Sequence, residues 1–259
     1  MSNIVFIPVI KDPKRIGRSI GYEWSIKSWK KWCDKNNSEL ILLEEPLTDP
    51  AQMSIAWQRY HLFKLLEESK MDYDQVLMVD ADTIVHPDCP NFFEETDGKY
   101  CGVAETGCYE WVSRSIKKYK EEFWSETDVH PWSYFNGGFQ IVNETHKEFF
   151  DVVLDFYMSN QENLLDIQKK YGLGTDQTCI NYLVEENNIE LKLLPQCYNL
   201  NQLERKNLLY LASQCWWGDT LENLYKSAWV YHFNGIPANP LKRGSDYFME
   251  RAYKELYND

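Results

Sequence analysis

Short apolar runs alternate with amphipathic stretches from the start of the chain. Residues 3–10, NIVFIPVI, read as a buried strand. Across 19–35, Tyr22, Ile26, Trp29 and Cys33 recur at the spacing of one helix face. ELILLEE, 39–45, reads as a second strand, and 51–69 as a second helix with Met53, Ala56, Trp57, Tyr60 and Phe63 inward. Strands are expected at 75–79 and 99–105. SYFNGGFQIVN, 133–143, reads as a strand interrupted by Gly137 and Gly138. A helix follows over 145–159, then a turn leading into a helix within 173–188, a short strand at 189–195 and a late strand, AWVYHFNG, at 228–235. Residues 107–133, dense in charge and aromatics, read as a helix with a mobile loop, and 200–227 shows no readable period. This alternation predicts an α/β fold, a mixed central sheet flanked by helices and parallel at its start, with residues 1–259 forming one domain. In such sheets ligands collect at the carboxyl ends of strands.

Composition narrows the partners. The net charge of −13 argues against nucleic acid or an anionic membrane. Any phosphate ligand therefore needs local help, from a metal or a few placed bases. No run approaches the ~20 apolar residues of a membrane span, and the opening residues lack a secretory pattern, so a cytoplasmic protein is expected. The 7 cysteines are odd in number, with no CxxC pair, as suits reduced thiols.

The chemistry starts at QVLMVDADTIV, 75–85, where an apolar strand runs into Asp80 and Asp82. In an extended segment, side chains two apart point the same way, so both carboxylates can face one cation. Ala81 between them lets a ligand approach. Oxygen ligands suit Mg²⁺ or Mn²⁺. Downstream, Asn136-Gly137-Gly138 suggests a bulge or close ligand approach, and the Asn136 amide suits a sugar hydroxyl. Asp176-Gln177 reads as a helix start, and His232 as the end of an apolar strand. Each of these three also has a purely structural reading.

Taken in order, D-A-D, F-N-G-G, D-Q with Asn181, and H-F-N-G make the chain resemble GT-A-fold glycosyltransferases, nearest the glycogenin-like group called family 8. The likeness spans residues 3 to about 243. It implies a Rossmann-like GT-A domain, Asp80, Asp82 and His232 as ligands of Mn²⁺ or Mg²⁺, and a metal bridging the phosphates of a nucleotide-sugar. UDP is the group's usual nucleotide, with a GDP-sugar as the other option, and the acceptor is a glycan or another hydroxyl. Pro8, Val9 and Ile10 would line the nucleotide pocket, and Arg59 would reach the donor. Asn136, Gly138, Asp176 and Gln177 would face the donor sugar, with Asp176 or Gln177 nearest the reacting carbon. Ala81, Gly137, Asn234 and Gly235 complete the donor-binding motifs. The chain departs from the pattern at Gly137, where serine is usual, and at Ala238, where a lysine is usual. The nearest bases are Lys242 and Arg243, and Lys242 takes the phosphate-binding expectation.

Two other readings stay open. D-x-D-x-T also resembles the first motif of haloacid-dehalogenase-type phosphatases, with Asp80 as nucleophile and Asp82 as acid. The chain can also be a nucleotide-sugar-binding protein without turnover.

Overall fold

A computed structural model describes residues 2–11, 21–174, 176–201, 227–236 and 244–258. Eight strands are named among them: β1 (Ser2–Pro8), β2 (Ser38–Leu43), β3 (Tyr73–Val79), β4 (Thr83–Val85), β5 (Tyr100–Ala104), β6 (Phe135–Asn143), β7 (Leu191–Leu194) and β8 (Val230–His232). The helices are α1 (Tyr22–Lys35), α2 (Leu62–Glu68), α3 (Tyr109–Phe123), α4 (Lys147–Tyr171), α5 (Gln177–Glu186) and α6 (Ser245–Tyr257).

The central sheet has 6 strands in the order β2-β1-β3-β6-β5-β7. β1 pairs in parallel with β2 and β3, while β6 runs antiparallel to both β3 and β5. The mixed sheet, parallel at its start, is the one expected. Its strands β1 and β3 are apolar on both sides because both sides are covered. Ile4, Phe6, Val76 and Met78 face a core with Trp57, Tyr60, Phe149 and Ile180. Their neighbours Val5, Ile7, Leu77 and Val79 face the opposite core, with Trp29, Trp32 and Phe92. The two-residue alternation of strand side chains thus divides one continuous apolar run between two layers of helices. Each fully buried side chain of this kind contributes about 1.5–3 kcal/mol.

Several elements differ from the sequence pattern. The expected helix at 51–69 is a 3₁₀ segment, Ile55–His61, leading into the short α2. There Gln58 is fully buried and bonds the backbone of Leu47, Thr48 and Met53, fixing the chain before the helix. α4 runs on to Tyr171, well past 159, with Leu164 and Ile167 still buried. β6 continues through both glycines as one strand, although its register with β5 shifts between Gly102 and Ala104. α6 was not expected, yet Phe248, Met249, Ala252 and Tyr253 are buried at the spacing of one helix face.

A second sheet has two strands, and it positions the site. β4 pairs antiparallel with β8, setting Thr83 opposite His232. Helix α1 braces the turn before β4: the Trp29 indole donates to Thr83 Oγ1 at 2.9 Å, and Thr83 Oγ1 donates to the Asp80 carbonyl at 2.7 Å. From α6, the Tyr257 hydroxyl donates to the Val85 carbonyl at 2.9 Å. No helix among the described residues is long and apolar enough to cross a membrane.

Candidate functional site

β3 delivers Asp80 at its carboxyl end, and the turn into β4 carries Asp82. The two are therefore not in extended chain, as their spacing suggested, but the turn still aims both carboxylates at one point. His232, last residue of β8, completes the group. Its Nε2 lies 3.1 Å from Asp82 Oδ1 and 3.5 Å from Asp80 Oδ2. One ligand atom from each of the three lies within 4.8 Å of the others. The imidazole is 1% exposed, and the carboxylates 28% and 30%, so solvent reaches the cluster from the carboxylate side.

Charge balances this corner. Arg59 Nη2 donates to Asp80 Oδ1 at 2.5 Å and Nη1 to the Gly137 carbonyl at 2.9 Å, while Nε sits 3.8 Å from Asp176 Oδ2. Burial pushes the Asp80 carboxyl up, but the Arg59 charge and the His232 bond outweigh it and hold Asp80 well below the usual carboxylate range. Burial likewise lowers His232, yet Asp82 and Asp80 raise its pKa to about 10. Without a metal, then, the His232 imidazolium and the Arg59 guanidinium together balance the two aspartates. A divalent cation fits the same place: two carboxylates and one imidazole, convergent and partly open, form a suitable donor set. Gly138 makes room for it. A Cβ there would lie 2.5 Å from His232 Cε1 and collide with the Asp80 carboxylate.

The adjoining corner is built from amides. Asn136, 2% exposed, is its hub. Its Nδ2 donates to Glu105 Oε2 at 2.8 Å and Gln177 Oε1 at 3.2 Å. Its Oδ1 accepts from the Gly138 amide at 2.9 Å and from Asn199 Nδ2 at 3.1 Å. Gln177 opens α5 and also accepts from the Gly137 amide at 3.0 Å. Gln177 Nε2 is buried with no hydrogen-bond partner among the described residues. Asp176, 9% exposed, stands at the N-cap position of α5 without a side-chain capping bond, and the Tyr60 hydroxyl donates to its Oδ2 at 3.3 Å.

The structure thus gathers Arg59, Asp80, Asp82, Asn136, Gly137, Gly138, Asp176, Gln177 and His232 into one hydrogen-bonded neighbourhood. Arg59 turns inward onto Asp80, and all four hydrogen bonds of Asn136 lie within the protein. Ala81 is buried, 5% exposed. Val9 and Ile10 follow β1 and are nearly buried beside the partly exposed Pro8. Asn234 and Gly235 form the turn after β8, where Gly235 has φ +58°, a conformation favouring glycine. Asn181 does structural work: its Oδ1 accepts from the Phe135 amide at 2.8 Å and its Nδ2 donates to the Phe135 carbonyl at 2.9 Å. Lys242, with Ala238 and Arg243, lies outside the described residues. Sequence reasoning missed Glu105, Asn199 and Asn201, the last of which donates from Nδ2 to Glu105 Oε2 at 3.3 Å. Glu105 looks like any acid ending a strand, and the only signal for the others is a pair of asparagines two apart after β7.

No protein-family model matches the chain, and no curated protein does. Solved structures do. A glycosyltransferase involved in glycosylation of the major capsid of PBCV-1 superposes over 97% of this chain and 100% of its own, at TM-score 0.57 and 12% identity. The galactosyltransferase LgtC, solved with donor and acceptor sugar analogues, matches over 99% of this chain and 95% of its own, at 0.52 and 14%. The glycosyltransferase GlyE of Streptococcus pneumoniae TIGR4 matches over 100% of this chain and 61% of its own, at 0.54 and 14%. At such identities the likeness speaks for the fold.

Proposed function

The chain has the GT-A fold, and on that premise we propose that it is a divalent-metal-dependent glycosyltransferase, moving a sugar from a nucleoside-diphosphate sugar to an acceptor hydroxyl. The observation that carries this reading is the convergence of Asp80, Asp82 and His232 at the carboxyl end of β3, where open α/β sheets bind ligands. Asp80, Asp82 and His232 would hold Mn²⁺ or Mg²⁺, which would supply electrostatic stabilisation to a leaving diphosphate. A UDP-sugar is the favoured donor and a glycan hydroxyl the favoured acceptor, on the sequence resemblance.

The chain's own groups divide the remaining work. Asp80 and Asp82 anchor the diphosphate end, and Pro8, Val9 and Ile10 line the base side. Gln177 Nε2, buried and without a partner among the described residues, donates a hydrogen bond to a donor-sugar hydroxyl. Asp176, steadied by Tyr60 and Arg59, holds negative charge near the carbon that becomes positive in the transition state. On the acceptor side we place Tyr109 and Trp132, 65% and 74% exposed, whose rings stack 6.4 Å apart at 25°. Tyr109 follows Glu105 by four residues and Trp132 precedes Tyr134 by two, and the Glu105 amide donates to the Tyr134 carbonyl at 2.8 Å. Much of the segment expected to move is α3, anchored by Tyr119 to the Gly174 carbonyl at 2.9 Å, so any lid motion falls to the residues around that helix.

The phosphatase reading has less support. A nucleophile needs a free carboxylate oxygen, whereas Asp80 is engaged by Arg59 on one oxygen and faced by His232 on the other. The test is a thermal-shift screen of nucleotide-sugars with and without Mn²⁺, since a ligand of the native state raises its stability. A Mn²⁺-dependent rise with one nucleotide-sugar is expected. No rise with any, together with phosphate release from simple phosphoesters, would overturn the proposal.

A further inference from the structure

Asn199 is 1% exposed and sits between the two corners of the site. Its Oδ1 lies 3.1 Å from His232 Nδ1, and its Nδ2 donates to Asn136 Oδ1 at 3.1 Å. Which end of an amide faces a histidine is ordinarily ambiguous. Here the neighbours decide it. The Gly138 backbone N–H can only donate, and it donates to one end of the Asn136 amide, which must therefore be oxygen. Glu105, a carboxylate, accepts from the other end, which must be nitrogen. Asn199 then has to present Nδ2 to Asn136 Oδ1, and this leaves its Oδ1 toward His232. The imidazole nitrogen facing that oxygen carries a proton, and Nε2, on the side of Asp80 and Asp82, is the nitrogen that can offer a lone pair once a cation replaces its proton.

We propose that Asn199 is a positioning residue that holds His232 in the Nδ1–H tautomer, with Nε2 directed to a divalent cation, and couples that ligand to the donor-sugar residues through Asn136. The inference rests on the metal reading above. Such outer partners orient a ligating imidazole and raise its basicity. The coupling is physical: Asn136 also donates to Gln177, so a displaced Asn199 disturbs His232 and Gln177 together. The position of Asn199 does not depend on its own side chain. The segment runs beside β8, with the Leu200 amide donating to the Val230 carbonyl at 2.8 Å and the His232 amide to the Leu200 carbonyl at 3.2 Å. Truncating the side chain therefore leaves the backbone held.

The test compares Asn199→Ala and Asn199→Asp with the wild type. Mn²⁺ affinity is measured by calorimetry, and the melting temperature without metal serves as the control. The histidine tautomer is read from ¹⁵N spectra with Zn²⁺ as a diamagnetic probe. The wild type is expected to bind Mn²⁺ and to show His232 as Nδ1–H. Asn199→Ala should lose about 10- to 100-fold in Mn²⁺ affinity with little change in metal-free melting. Asn199→Asp keeps an acceptor for Nδ1 but sets an oxygen against Asn136 Oδ1. It should retain Mn²⁺ affinity while weakening the preference for nucleotide-sugar over free nucleoside diphosphate. Unchanged affinity in Asn199→Ala, equal losses in both variants, early melting that accounts for the loss, or an Nε2–H tautomer would overturn the assignment of Asn199 while leaving the metal site standing. A wild type that binds no Mn²⁺ would instead overturn the metal reading, and this inference with it.

Discussion

The metal corner and the amide corner of the site share β6, and the boundary between them falls between two adjacent glycines. Gly138 belongs to the first, against Asp80 and His232, and Gly137 to the second, against Gln177. In the metal corner, charge is held by charge: Arg59, Asp80, Asp82 and His232 balance one another at short range. In the amide corner, Asn136, Gln177 and Asn199 are neutral and are held by hydrogen bonds whose direction is fixed. Ion pairs set strength with little regard to angle, whereas amides set orientation. A site that must neutralise a diphosphate and also tell one sugar from another uses both.

The sharpest way to break this comparison is to remove charge. Asp82→Asn should reduce turnover by roughly a thousandfold or more, as expected when a contribution of several kcal/mol from a Lewis acid is lost. Its metal-free melting should fall modestly, through the lost Asp82–His232 contact. Asp80→Asn should cost the same activity and more stability, because it takes the closest partner from the buried Arg59 charge. That penalty falls toward the low end of the ~3–5 kcal/mol typical of a broken buried pair. Steady-state rates at saturating Mn²⁺ and melting curves separate the two variants, and equal melting would deny Arg59 its part in the metal corner.

The adjacent glycines come next. Gly138→Ala places a methyl against the Asp80 carboxylate and 2.5 Å from His232 Cε1, so Mn²⁺ binding should fall at least about tenfold, with ~1–3 kcal/mol of overpacking strain. Gly137→Ala meets Gln177, no atom of it nearer than the Cβ at 3.4 Å, and should bind Mn²⁺ as the wild type does. Calorimetry on both decides whether the boundary is drawn in the right place.

Acidity separates the corners further. The metal-free His232 value of about 10 lies above the 6.5 of an unperturbed histidine. Its protonation therefore stabilises the metal-free fold fully below pH 6.5, and that contribution is lost as pH rises through about 10. A bound cation needs Nε2 without its proton, so Mn²⁺ affinity should rise with pH by roughly tenfold per unit in this window. Titrations between pH 6.5 and 8.5 follow it, and a flat affinity would remove His232 from the ligand set.

The smallest expected effect lies outside both corners. Trp132 is 74% exposed, so Trp132→Ala should change stability by no more than about 0.5 kcal/mol. Losing a ring stack of ~0.5–1.5 kcal/mol should raise the KM for a glycan acceptor by roughly two- to tenfold. The donor KM and the Mn²⁺ requirement should not move. A rise in donor KM instead would extend the amide corner outward.

What the sequence determined by itself is local. Apolar runs such as Val76–Val79 specify buried strands, because only a strand covered on both faces hides four consecutive apolar side chains. The helix face of α1 follows from its spacing, and Asp80 and Asp82 are conspicuous because like charges are set close together at a strand end. Tertiary structure decided what lies across the chain. His232 reaches Asp82 over 150 residues only because β8 pairs with β4 in one register. Arg59 faces inward, and Glu105 and Asn199 enter the site, through partners far away in sequence. A buried polar side chain is defined by the donors and acceptors around it in space. Hydrophobic periodicity encodes burial along the chain but not those partners, so the strands could be read from the sequence while the hydrogen-bonded hub between them could not.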